Sequence, residues 1–183
     1  RHVSDAFVED PLRVLRVARF AARYARRGFA VAPETVDLMR RISASGELAS
    51  LVPERIWQET CRALGEADPS EFIRVLQRCD ALAFIFPEIA ALQGVLQNVE
   101  HHPEGDAFVH TLMVLDAATK ISQEKEVRFA ALVHDLGKAK TPQNEWPRHI
   151  KHEHRGVTIV NALCDRLRVP SDYRELAVLV TRE

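Results

Sequence analysis

Apolar residues return at every third or fourth position along much of this 183-residue chain. Phe129, Leu132, Val133 and Leu136 form one such stripe, and Val160, Leu163, Cys164 and Leu167 form another. That spacing gathers side chains on one face of an α-helix. No stretch alternates apolar and polar residues with the period of a strand. The pattern is punctuated at Gly28 to Pro33, Ser43 to Gly46, Pro53, Asp68-Pro69, Pro87, Pro103 to Gly105, Thr141 to Pro147 and Pro170, the residue types that start and stop helices. Most intervals are of helix length, so the fold class predicted is all-α, an array of packed hairpins. The chain turns polar between Asn98 and Asp106, where a new helix should begin, and this divides it into residues 1–100 and 101–183. Tyr173, Leu176, Ala177 and Val180 carry helical spacing almost to the last residue with no capping Gly, and the first residue is not Met. The expectation is a piece of a longer protein.

Composition narrows the function classes. At 46% hydrophobic and 28% charged residues the chain has the makings of globular cores. A net charge of -1 excludes binding nucleic acid through overall basicity, so any RNA or phosphate site must be local. Three cysteines, Cys61, Cys79 and Cys164, lack disulfide or metal-finger spacing and fit a reducing compartment, with the cytoplasm as the expected location. No apolar run approaches the roughly 20 residues that cross a bilayer, and membrane partners are not expected.

The basic charge is concentrated at one end. Residues 1–41 hold nine Lys and Arg against five Asp and Glu. Asp10-Pro11 reads as an N-cap followed by proline at the first helical position. On the helix that follows, to about Arg27, Arg13, Arg16, Arg19, Arg23, Arg26 and Arg27 fall within an arc of about 140°. Such a face is either a solvated strip whose arginines pair with Glu9, Asp10 and other acids, or a nucleotide-reading surface. The planar guanidinium fork suits phosphates and base edges. Glu9 and Asp10 stand about one turn before Arg13, placing acceptor and donor together. The string Glu9-Asp10-Pro11-Leu12-Arg13-Val14-Leu15-Arg16-Val17-Ala18-Arg19-Phe20 resembles the nucleotide-recognition motif of bacterial class II tRNA nucleotidyltransferases, the CCA-adding enzymes. Glu54 to Glu59 and Phe86-Pro87-Glu88 resemble the helical neck and body of the same family. The resemblance implies that Asp10 and Arg13 read the base of CTP or ATP, that Arg16 contacts nucleotide phosphates, with Glu9 in the same site, and that tRNA is the partner. It also implies a polymerase head, with carboxylates that hold Mg²⁺, before residue 1, so this chain alone is not expected to polymerise nucleotides.

The second half carries His110, His134, Asp135, His149, His152 and His154. Asp135 lies near a predicted helix end, with Gly137 as the expected C-terminal cap, where the macrodipole disfavours an anion and a cation should compensate. Lys138 is one candidate. Neutral imidazole with carboxylate is also a ligand set for divalent hydrolytic metals. His110, then His134-Asp135-Leu136-Gly137-Lys138, then His152-Glu153-His154-Arg155-Gly156 resembles the HD superfamily of metal-dependent phosphohydrolases, which some bacterial CCA-adding enzymes carry after their body helices. This implies metal ligation by His110, His134 and Asp135, with His154 binding metal or substrate phosphate, and with His134, Asp135 and Lys138 catalytic. The ion is expected to be Ni²⁺, Mn²⁺, Zn²⁺ or Mg²⁺. The implied activities are 2′,3′-cyclic phosphodiesterase, 2′-nucleotidase and phosphatase. A later Asp ligand is required, and neither Asp165 nor Asp172 is assigned to it. His101, His102 and His149 read as surface loop residues, and Trp57 and Trp146 as packing residues. Two other readings compete: a free-standing HD nucleotide hydrolase, and a non-catalytic RNA-binding module.

Overall fold

The computed structural model describes residues 10–183, so Glu9 lies outside the described residues. These residues separate into two compact units that divide between Phe86 and Pro87. Among the described residues there is no strand, and one isolated bridge joins Leu96 and Asp106.

In the first unit, α1 (Leu12–Tyr24) continues as a 3-10 turn, Ala25–Arg27, and stops at Gly28 with φ of 76°, a left-handed conformation that glycine adopts at little cost. Asp10 caps α1 as expected: its Oδ1 accepts the Leu12 amide at 3.1 Å. The helices α2 (Pro33–Ser45), α3 (Pro53–Leu64) and α4 (Pro69–Arg78) each begin on a proline, whose missing amide is one that a first turn leaves unpaired anyway. A short α5 (Leu82–Ile85) ends the unit. Val14, Leu15, Ala18 and Ala22 turn the buried face of α1 towards α3 and α4, where Ile56, Phe72, Ile73 and Leu76 are also buried.

The arginine face of α1 is largely tied up in ion pairs. Glu59 of α3, only 2% exposed, receives Arg19 Nε at 2.7 Å and Arg62 Nη1 at 2.9 Å, with Arg16 Nε at 3.9 Å. Arg26 pairs with Asp68 at 2.7 Å, and Arg23 approaches Glu66 at 3.8 Å. A buried carboxylate needs such partners, because removing them strands a charge away from water. Arg19 and Arg26 are thus held by carboxylates, while Arg13 and Arg16 lie nearest the start of the helix.

The second unit contains α6 (Pro87–Ala90), α7 (Ala107–Ile121), α8 (Lys125–Val133), a 3-10 turn at Leu136–Lys140, α9 (His152–Leu167) and α10 (Ser171–Arg182). Helix α8 packs against α7 and α10, while α9 packs against α10 and the 3-10 turn. The core is built from Leu112, Leu115, Phe129, Leu132, Val160 and Leu163. The unit starts some dozen residues before the polar segment at which the sequence divides. The Ala107 amide donates to Val95 O, the Gln97 amide to Gly105 O and the Gly94 amide to Asp106 Oδ2. Those bonds close residues 98–104 into a loop of the second unit. No helix among the described residues is long and apolar enough to cross a membrane.

Candidate functional site

Three stretches of sequence, at the start of α7, the end of α8 and the start of α9, meet at one carboxylate, Asp135. Asp106 caps α7, its Oδ1 accepting the Val109 amide at 3.0 Å, and one turn on the helix presents His110. Helix α8 ends at Val133, and His134 and Asp135 follow at once, before the 3-10 turn. Asp135 is 4% exposed. Its Oδ2 lies 3.2 Å from His134 Nε2, 3.8 Å from His110 Nε2 and 2.7 Å from Lys138 Nζ, while Oδ1 lies 3.3 Å from His152 Nε2.

Each imidazole is oriented from behind. Glu104 Oε1 meets His110 Nδ1 at 2.5 Å, Ala131 O meets His134 Nδ1 at 2.8 Å and His149 O meets His152 Nδ1 at 2.9 Å. With Nδ1 turned to an oxygen, each ring presents Nε2 to Asp135, the arrangement that metal-binding histidines adopt. Ligand atoms of His110, His134 and Asp135 all lie within 4.8 Å of one another. Asp135 Oδ2 is buried and, even beside the Lys138 ammonium, takes no hydrogen bond of acceptable geometry, an orphan acceptor of the kind that a buried cation satisfies. These residues fit a divalent metal ion.

The electrostatics agree. Burial opposes ionisation of Asp135, but the imidazoles of His134 and His152 and the Lys138 ammonium outweigh it and hold its carboxyl well below the usual carboxylate range. Burial pushes the His110 imidazole below its ordinary value despite Glu104, favouring the neutral ring that ligates. His152 resists the same burial because Asp135 favours its cation, and its pKa is raised. Lys138, 7% exposed, holds its ammonium between Asp135 and the side-chain oxygen of Gln97. It supplies the compensating cation that the sequence suggested.

Several sequence expectations change. His154 is exposed at the start of α9 and lies outside the cluster, whereas His152 reaches Asp135. Positions two apart on a helix point about 200° away from each other, so only one of the two can face inward. His149 is not a surface residue: it is 2% exposed, with Nδ1 2.6 Å from Thr141 Oγ1 and Nε2 2.7 Å from Leu96 O. His102 is half-buried, its ring 4.5 Å from that of His110 between centroids. Gly137 is not a left-handed cap. A Cβ there would stand 1.9 Å from His152 O, so this glycine permits the close approach of the 3-10 turn to α9. Asp165 pairs with Arg174 and Asp172 is exposed; neither belongs to the metal group. Trp57 is buried and Trp146 donates to Thr141 O, both in packing roles.

In the first unit, Asp10, Arg13 and Arg16 share the first turns of α1, where the Arg13 amide donates to Asp10 O at 3.0 Å. Asp10 Oδ2 pairs with Arg55 Nη2 at 3.0 Å. Its carboxyl is lowered because the Leu12 amide and Arg55 outweigh desolvation. Arg55 is a neighbour that the sequence pattern did not single out, since α3 approaches α1 only in the fold.

Comparison with known proteins adds two family matches. Residues 28–93 match the model described as "Probable RNA and SrmB-binding site of polymerase A", and residues 107–183 match the HD domain. The multifunctional CCA protein of Thioalkalivibrio sulfidiphilus is 59% identical over 182 residues, which is 100% of this chain and 44% of that protein. Its counterpart in Xanthomonas oryzae pv. oryzae is 60% identical over 184 residues, 100% of this chain and 45% of its own length. That of Shewanella frigidimarina is 57% identical over 181 residues, 99% and 44%. The chain thus spans less than half the length of the relatives it matches.

Proposed function

Because the chain belongs, along its whole length, with the multifunctional CCA proteins, we propose that it forms part of a tRNA nucleotidyltransferase that builds or repairs the 3′-terminal CCA from CTP and ATP in the cytoplasm. We propose further that residues 87–183 make a metal-dependent phosphohydrolase acting on ribose-linked phosphate, with 2′,3′-cyclic phosphodiesterase, 2′-nucleotidase and phosphatase activities. The observation that carries the hydrolase reading is the convergence of the His110 and His134 Nε2 atoms, each ring oriented from behind, on the orphan Oδ2 of Asp135, with His152 Nε2 on Oδ1.

His110, His134 and Asp135 would hold the divalent ion. When bound there, such an ion supplies Lewis acidity to a phosphoryl oxygen and makes water more acidic. The chain's own residues do the rest. Glu104, Ala131 O and His149 O fix the rings, and His152 steadies the second oxygen of Asp135. Lys138 sets a buried ammonium beside the site, where charge gathers on a transferring phosphoryl group and a fixed cation is worth more than in water. Addition of Mn²⁺ or Ni²⁺ to the chelator-treated chain is expected to start turnover of a 2′,3′-cyclic nucleotide, and His134→Ala to abolish it. A chain that folds, takes up metal and hydrolyses nothing would refute the hydrolase reading.

For the first unit, we propose that Asp10, Arg13 and Arg16, with Glu9, read and hold the incoming nucleotide in the full-length enzyme, with Mg²⁺ in the polymerase head. Asp10 is held ionised by Arg55 and the helix start, which keeps it an acceptor for the amino edge of a base. Arg13→Ala in the full-length enzyme is expected to disturb discrimination between CTP and ATP on the order of 10-fold or more, one good bidentate pair, while tRNA affinity stays near wild type. Equal loss of both would count against base reading.

A further inference from the structure

A pocket of about 310 Å³ opens on the second unit beside the Asp135 cluster and shares Lys138 and His152 with it. Gln97, His102, His149 and Arg148 complete most of its wall. Among the described residues that line it none is acidic, whereas Lys138 and Arg148 are cations. Lys138 is held at the wall by Gln97, 4% exposed, whose side-chain oxygen accepts from Nζ. The Gln97 amide nitrogen is buried with no partner of its own. The volume is at the lower end for small-molecule sites, enough for a phosphorylated ribose and too little for a length of RNA.

Arg148 reaches this pocket from a segment built to hold it. His149 and Lys151, neither of them glycine, take left-handed backbone at φ of 49° and 59°. Such conformations are disfavoured for residues with a side chain and persist where surrounding structure enforces them. Here the enforcement is visible. The buried His149 ring spans from Thr141 Oγ1 to Leu96 O, and Trp146 Nε1 donates to Thr141 O at 3.2 Å. The nearby Glu145 carboxylate faces Arg155 at 3.8 Å. The Arg148 guanidinium, exposed, has no partner among the described residues, and the planar fork of arginine suits bidentate grip of a phosphate.

We infer that this pocket is the phosphate-reading subsite of the second unit and that Arg148 is its specificity-determining residue, gripping the terminal phosphate of a ribonucleotide beside the Lys138 ammonium. The inference rests on the hydrolase reading for the substrate class but not for the binding itself. The test is equilibrium binding of adenosine 2′-monophosphate, with adenosine as the control, to the metal-free chain. The expected result is measurable 2′-monophosphate binding, none for adenosine, and at least about 10-fold weaker binding in Arg148→Ala, with partial recovery in Arg148→Lys. Mn²⁺ affinity should stay within about twofold in both variants, which separates the subsite from damage to the Asp135 cluster. Unchanged 2′-monophosphate binding in Arg148→Ala, equal binding of adenosine, or no binding by the wild-type chain would overturn the subsite. Binding through Arg148 without any turnover when metal is restored would uphold the pocket and refute only the hydrolysis.

Discussion

Asp135→Ala is expected to abolish metal-dependent phosphohydrolysis, with a fall of at least about 100-fold, and also to lower the stability of the chain. Loss of a residue that merely orients a ligand costs about 10–100-fold in metal affinity or activity, and Asp135 is the carboxylate on which every ring converges. The stability effect has a separate cause. Lys138 keeps its buried ammonium 2.7 Å from Asp135 Oδ2, and breaking a buried pair costs about 3–5 kcal/mol because it leaves a charge uncompensated. His134→Ala removes a ring on the same oxygen and leaves the Asp135 to Lys138 pair whole. The two variants should both lose turnover, but only Asp135→Ala should show a melting temperature many degrees lower. The sign with pH follows from the depressed Asp135 pKa. Its contribution is complete above the ordinary carboxylate value near 3.8 and is withdrawn as pH falls below it. Wild type and Asp135→Ala should therefore converge in stability only in strong acid. Equal melting temperatures for the two variants at neutral pH would show that Lys138 does not depend on Asp135.

Gly137→Ala is expected to be nearly as damaging although it removes nothing. The added methyl would stand 1.9 Å from His152 O and 2.6 Å from Gly156 N, and both are backbone atoms that cannot rotate away. The 3-10 turn and α9 must separate, and the separation carries His152 from Asp135 and disturbs the Lys138 contact. Overpacking of this kind costs roughly 1–3 kcal/mol, and displaced orienting residues lower metal affinity about 10–100-fold. Gly156→Ala provides the graded comparison, since its Cβ would meet chiefly the side chain of Thr181, at 2.6 Å. Thermal unfolding and metal titration of the two variants check this. A Gly137→Ala chain with wild-type stability and metal affinity would mean that the turn and helix are not in the close contact described.

Much of this arrangement was legible in the residues, and what was missed has physical reasons. Helix starts at Pro33, Pro53, Pro69 and Asp106 follow from local capping and proline chemistry, which act within a turn. The pairing of His134 and Asp135 with Lys138 is also local. His152 is instructive. Gly156, Val160, Leu163, Cys164 and Leu167 are buried on α9, and His152 extends that stripe by one turn towards the N-terminus while His154 does not. The helical spacing carries that signal. His149 left no such trace, because it is buried by Leu96, 53 residues away, and by Thr141. The start of the second unit was hidden in the same way. Polar residues 98–104 look like a linker until the bonds from Gln97 to Gly105 and from Ala107 to Val95 close them into a loop. Arg55 met Asp10 only once α3 lay beside α1.

Direct titration of the chelator-treated chain with Mn²⁺ or Zn²⁺, followed by calorimetry, measures whether the Asp135 cluster holds an ion. The oriented imidazoles of His110 and His134 beside the orphan Oδ2 of Asp135 predict one tightly bound ion per wild-type chain and loss of that site in His110→Ala and His134→Ala, with folding preserved. Saturable binding of the same strength in the wild type and in both variants, or no uptake by the wild type, would contradict a metal centre at Asp135.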